Sequence, residues 1–97
     1  MVPLGFTEVK RAVVSALIAG DYLIEARGDI DVKNLLATGD VSASALAAVL
    51  KRCSGSHHTS SPHHRAPSIV VHMIRSGGWY VKFYFVDPTT IFISVHQ

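Results

Sequence analysis

A strict two-residue alternation runs through the C-terminal stretch WYVKFYFVDPTTIFISVHQ, residues 79–97, and a helix cannot satisfy it. Trp79, Val81, Phe83 and Phe85 share one parity, while Tyr80, Lys82 and Tyr84 share the other, the period of a strand with one buried and one wet face. The next run repeats the pattern, with Ile91, Ile93 and Val95 on the apolar parity and Phe92, Ser94 and His96 on the other. A three-residue loop Asp87-Pro88-Thr89 sets Val86 opposite Thr90. That register puts Tyr84 opposite Phe92, Lys82 opposite Ser94 and Tyr80 opposite His96, with Cβ atoms of directly opposed residues ~5 Å apart. A phenol, an ammonium and an imidazole thereby cluster on the solvated face. Val81, Phe83, Phe85, Ile91, Ile93 and Val95 are expected to bury against helices.

Those helices precede the hairpin. Thr7 is the expected cap of a first helix running to about Ala19, with Val9, Val13, Ala16 and Leu17 on one side and Gly20 as the left-handed stop. Asp21 to Ala26 reads either as a short strand or as an extension of that helix, and Arg27-Gly28-Asp29 as a turn. Asp31 to Ala37 predicts a two-turn helix capped by Asp31 and ended by Gly39. Ser42 caps a third helix, flanked by Val41 and Leu46, with Leu46, Val49 and Leu50 inward and Lys51-Arg52 at its negative end. From Cys53 to Pro67 the chain is rich in Ser, His and Pro without periodicity, and predicts a long surface loop. Ser68 to Ile74 is a strand, followed by a turn at Arg75-Ser76-Gly77-Gly78. The order predicts an α+β fold, with N-terminal helices on one face of a small antiparallel sheet whose C-terminal part is a three-stranded meander. The other face is then left for binding.

Length and composition narrow the class. Ninety-seven residues with 48% apolar content fit one domain with one modest core. The single cysteine, Cys53, cannot form an internal disulfide, which points to a reducing cytoplasm. A run of eighteen apolar residues is absent and the N-terminus lacks a secretory pattern, so no membrane role is expected. A net charge of +2 and a pI near 8.9 permit an anionic partner without demanding one. Histidine is the outlier, with six residues, four of them in the pairs His57-His58 and His63-His64.

The order of helices, a polar loop, and then IVVHMIRSGGWYVKFYFVDPTTIFISVH resembles the small RelE-like ribonuclease toxins of bacterial toxin–antitoxin pairs, most closely the motility-quorum-sensing-regulator toxins. Residues 41–97 carry the resemblance, from the helix VSASALAAVLKRC through the Tyr-aliphatic-Lys strand to the C-terminal strand. The resemblance implies an endoribonuclease toxin, with RNA as substrate, a cognate antitoxin as partner, and a homodimer or toxin–antitoxin complex as its assembly. The family's catalytic tyrosine falls on Tyr80 and the lysine of the same motif on Lys82. Its C-terminal catalytic lysine falls on His96, a departure that substitutes an imidazole able to act as acid or base near neutral pH. His57 or His58 occupies the stretch of the family's loop lysine, and His72 is the nearest polar residue to the family's strand glutamine.

The expected chemistry is metal-free cleavage by the RNA's own 2′-hydroxyl, without a cofactor. One imidazole removes that proton, a second protonates the leaving oxygen, and Lys82, Arg75 or Arg65 neutralises the pentacoordinate phosphate, with Tyr84 and Ser94 as further substrate contacts. His72 has two possible registers: a three-residue loop Ser76-Gly77-Gly78 pairs it with Lys82 on the polar face, and a two-residue loop Ser76-Gly77 pairs it with Val81. Two other classes stay open. His57, His58, His63 and His64 would form a zinc, nickel or copper site if the loop folded back, although neither Cys-x-x-Cys nor His-Glu-x-x-His spacing is present. A non-enzymatic interaction module, an inhibitor or assembly factor, would instead dock a partner on Tyr84 and Phe92.

Overall fold

The computed structural model describes residues 5–25, 34–63, 66–86 and 89–97. Its first helix, α1 (Phe6–Ala19), begins two residues earlier than a Thr7 cap would allow. Gly5 is the cap and offers no side chain, so the first turn is held by the backbone bond from Val9 N to Gly5 O at 3.0 Å. Val9, Val13 and Leu17, spaced four apart, are buried together with Val14. Gly20, at φ 72°, takes the left-handed stop that residues with a Cβ resist.

Of residues 21–26, open between helix and strand, Tyr22–Ile24 form strand β1, and Ala26 lies outside the described residues. The expected turn at Arg27 to Asp29 and the Asp31 cap lie outside the described residues. The next helix is the short α2 (Leu35–Thr38), capped by Asn34, whose Oδ1 accepts from Ala37 N at 3.1 Å. Helix α3 (Ala43–Lys51) follows the sequence closely: Ser42 Oγ accepts from Ala45 N at 3.1 Å, and Leu46, Ala47 and Leu50 are buried.

Within the stretch expected to be a long loop, residues 55–62 instead take regular structure. A 3-10 turn (Gly55–His57) leads into strand β2 (His58–Pro62), which pairs antiparallel with β3 (Val70–Ser76). Strand β2 has no apolar alternation because it is an edge strand, supported by backbone pairing more than by burial. Its polar Ser-Thr composition and terminal Pro62 suit that position. Strands β4 (Trp79–Val86) and β5 (Thr89–His96) complete the expected antiparallel meander. Among the described residues the sheet order is β1-β5-β4-β3-β2, with β1 parallel to β5 and the other pairs antiparallel. The fold is α+β, its sheet extended beyond the meander by a strand at each edge. Among the described residues, no helix is long and apolar enough to cross a membrane.

The β4–β5 register departs from expectation at one point. Val86 pairs with Thr89, so the connection is one residue shorter than expected, and Tyr84 faces Ile91 rather than Phe92. A bulge between Lys82 and Phe83 then restores the expected partners: Lys82 with Ser94, Val81 with Val95, Tyr80 with His96. Phe92 therefore lies in the helix-side core with Phe83, both fully buried, and is removed from the polar face. Ile91 and Ile93, expected against the helices, pack on the opposite face with Val71 and Tyr84. That face is consequently not bare along its whole length.

Candidate functional site

Three cross-strand rows of side chains cross the sheet face opposite the helices. In the first, Arg75 on β3 pairs with Tyr80 on β4, and Tyr80 with His96 on β5. The tyrosine and imidazole rings stack with centroids 4.8 Å apart and planes inclined by 17°. The Arg75 guanidinium lies 5.1 Å from the Tyr80 ring centre, within cation–π range. The turn that aims this row is tight: Ser76 pairs with Trp79 around Gly77 and Gly78, at φ 57° and 84°, conformations that suit glycine.

His57 joins the same place from the end of the 3-10 turn. A groove of about 440 Å³ is lined by His57, Arg75, Tyr80 and His96, with the Gly77-Gly78 turn and Trp79 on its wall. The backbone N–H of Ser54 donates to His57 Nδ1 at 3.3 Å, which makes Nδ1 an acceptor and leaves the proton of the neutral ring on Nε2. A fixed donor nitrogen, a second imidazole, a phenol and a guanidinium thus share one open groove. These residues come from the 3-10 turn, β3, β4 and β5.

The second row holds Lys82, paired with Met73 and Ser94. Among the described residues neither Lys82 nor Arg75 is bridged to a carboxylate, so both cations are available to an anion on this face. Ser94 is buried, which makes it a poor first contact for substrate.

The third row contains Tyr84 and leads to a second polar cluster. Tyr84 donates from its hydroxyl to Glu25 Oε1 at 2.9 Å, and His63 Nε2 approaches the same oxygen at 3.4 Å. Burial, then the hydrogen bond to Glu25 and the charge of Glu25, push the Tyr84 phenol up and keep it a neutral donor. Sequence reasoning missed Glu25 and placed His63 in the polar surface loop, as one of four possible metal ligands. The available signal was parity: Tyr22 and Ile24 pack toward the core, so Glu25 falls to the side of Leu23, the open face.

His58 and His72 do not join the groove. Neither proposed register of the Arg75 turn holds: His72 pairs with Phe83, on the helix-side face. There its Nδ1 lies 3.0 Å from His58 Nε2, with Phe83 and Phe85 rings at 5.7 and 5.5 Å and Phe6 5.6 Å from His58. Burial, reinforced by the adjacent His58, pushes His72 down to about 4, and burial lowers His58 as well. Two neutral imidazoles sharing one proton are a packing element of the core edge. Arg65 lies outside the described residues.

Among the described residues no group of three or more His, Cys, Asp or Glu side chains converges as a metal site would require. The four loop histidines are divided: His57 lines the groove, His58 faces His72, and His63 faces Glu25, while His64 is outside the described residues. Comparison with protein-family models, with curated proteins and with solved structures found no match.

Proposed function

We propose that this chain is a metal-independent endoribonuclease toxin of the RelE-like type, cleaving RNA in the groove lined by His57, Arg75, Tyr80 and His96. The observation that carries the reading is the meeting of two imidazoles, a phenol and a guanidinium bridged to no carboxylate among the described residues in one open groove, with Lys82 one row away. The chemistry follows from the parts. His96 takes the proton of the 2′-hydroxyl as its oxygen attacks phosphorus, and Arg75 and Lys82 offset the charge of the pentacoordinate phosphate. His57, in its imidazolium form, supplies a proton from Nε2 to the departing 5′-oxygen as the P–O bond breaks and returns to the neutral ring whose Nδ1 accepts from Ser54 N–H. Tyr80 holds the His96 ring by stacking and offers its hydroxyl to a phosphate oxygen. On this reading the toxin acts in the cytoplasm, and a cognate antitoxin silences it by covering the groove.

The test is cleavage of a single-stranded RNA in the presence of EDTA, with a 2′,3′-cyclic phosphate as the expected product end. His96→Ala should lower the rate by ~100-fold or more, the usual share of a proton-transfer group, and Tyr80→Phe by ~100-fold through loss of a hydroxyl aimed at the developing phosphate charge, neither altering the circular dichroism. Wild-type rates in both variants, or an absence of cleavage by the folded chain, would reject the enzyme reading in favour of an interaction module. Restoration of an EDTA-abolished activity by zinc would reject the metal-free route.

A further inference from the structure

The cluster at the other end of the same face has a cavity of its own. Glu25, Ser61, Pro62, His63, Lys82 and Ile93, with Val71 behind them, line about 160 Å³, smaller than the ~300–1,000 Å³ that a drug-sized ligand fills. Its polar groups are asymmetric. Tyr84 and His63 both address Oε1 of Glu25, and among the described residues nothing donates to Oε2. The Glu25 side chain is 26% exposed and lines the cavity. Lys82 supplies a cation to the same cavity, and Val71, Ile93 and Pro62 supply apolar walls.

We infer that this cleft is a base-selecting pocket for guanine, resting on the RNA reading given above. A carboxylate only accepts, and it favours a ring edge with adjacent N–H donors over one that alternates donor and acceptor. Guanine presents N1–H beside the N2 amino group, with the O6 acceptor next to them for the Lys82 ammonium. Adenine and cytosine place a ring-nitrogen lone pair beside their single amino group and so oppose the carboxylate. Uracil offers one N–H flanked by two carbonyls. Apolar walls suit the faces of a flat ring, the usual way a splayed single-stranded base is held. The location fits as well. Tyr80 and Tyr84 lie ~13 Å apart along β4 at the rise of a strand, so RNA following that strand with its phosphate at His96 brings a flanking base to Glu25. Lys82 lies between the two places.

Guanosine 3′-monophosphate, titrated by calorimetry against the adenosine, cytidine and uridine equivalents, reads the pocket without any cleavage. It should bind about tenfold or more tightly than the others, in the range that one paired base contact discriminates. Glu25→Gln should abolish the preference. Because Glu25 also anchors Tyr84 and His63, Ser61→Trp gives a second route: Ser61 is exposed on an edge strand, and its replacement fills the cavity while leaving the carboxylate in place. Equal affinity for all four nucleotides, or a guanosine preference that survives both folded variants, overturns the inference. RNA cleavage without a guanosine preference removes the pocket and leaves the nuclease. Guanosine selection by a chain that leaves RNA intact supports the pocket and removes the nuclease.

Discussion

Acidification should weaken this fold through His72, and the size of the effect follows from its burial. The ring is 5% exposed, enclosed by Phe83, Phe85 and His58, and makes no ion pair among the described residues. In the folded chain it protonates only near pH 4, against 6.5 for an exposed imidazole. The unfolded chain therefore binds the extra proton between those two values, and stability rises with pH across that window. The full contribution is present above pH 6.5 and lost as pH falls toward 4. At ~1.36 kcal/mol for each tenfold change in proton affinity the whole gap is worth about 3 kcal/mol, of which about 2.5 kcal/mol is lost between pH 7 and pH 4.5. With a urea slope of ~1.2 kcal/mol per M, the midpoint should fall by about 2 M from this group alone. Carboxylates titrate over the same range, so the measurement is a comparison of urea unfolding at several pH values between the wild type and His72→Phe. The phenyl ring fits an already aromatic surrounding and cannot protonate. The wild type should lose about 2.5 kcal/mol more than the variant over that interval. Parallel losses in the two proteins would refute the sequestered neutral imidazole.

Two further outcomes test the packing. Phe83→Ala should cost ~3–5 kcal/mol in urea unfolding, since Phe83 is fully buried between Phe85 and Phe92 and its removal leaves a cavity that the sheet cannot close. Ser42→Ala should cost ~1 kcal/mol by removing the acceptor of the Ala45 N–H, and a negligible loss would mean that α3 is held by its buried face alone.

What the sequence made legible was governed by periodicity, and what it hid was governed by contacts between distant segments. Tyr80 opposite His96 and Lys82 opposite Ser94 came from alternation and loop counting, because a buried face fixes the side on which each strand residue lies. The α3 cap was readable because Ser42 acts on its own helix. Strand β2 was not, since an edge strand of His, Thr and Ser has no burial pattern, and its pairing is a property of β3. The His58–His72 pair and the Glu25–His63–Tyr84 cluster were also hidden. Each joins residues at least fourteen apart, and in the second Glu25 and Tyr84 are separated by 59 positions. The early start of α1 had a local cause that competed with Thr7: a backbone cap at Gly5 needs no side chain.

The bulge in β5 explains how a partly mistaken register still located the first row. A connection one residue shorter than expected would, if carried through the hairpin without interruption, set Tyr80 opposite Val95 and His96 opposite Trp79. His96 would then point toward the helices, and Val95 would leave the core. The extra residue at Ile93 cancels that displacement within the hairpin, so Val81 and Val95 stay buried and Tyr80 regains His96. The shorter connection, ahead of that insertion, sets Phe92 opposite Phe83 in the core and leaves Ile93 on the open face, where it becomes a wall of the Glu25 cleft. The short connection and the inserted residue together therefore divide the open face into a stacked polar row at one end and a walled cavity at the other. Alternation with the longer connection would have made that face uniform, and the two opposed departures from it give the face two different ends.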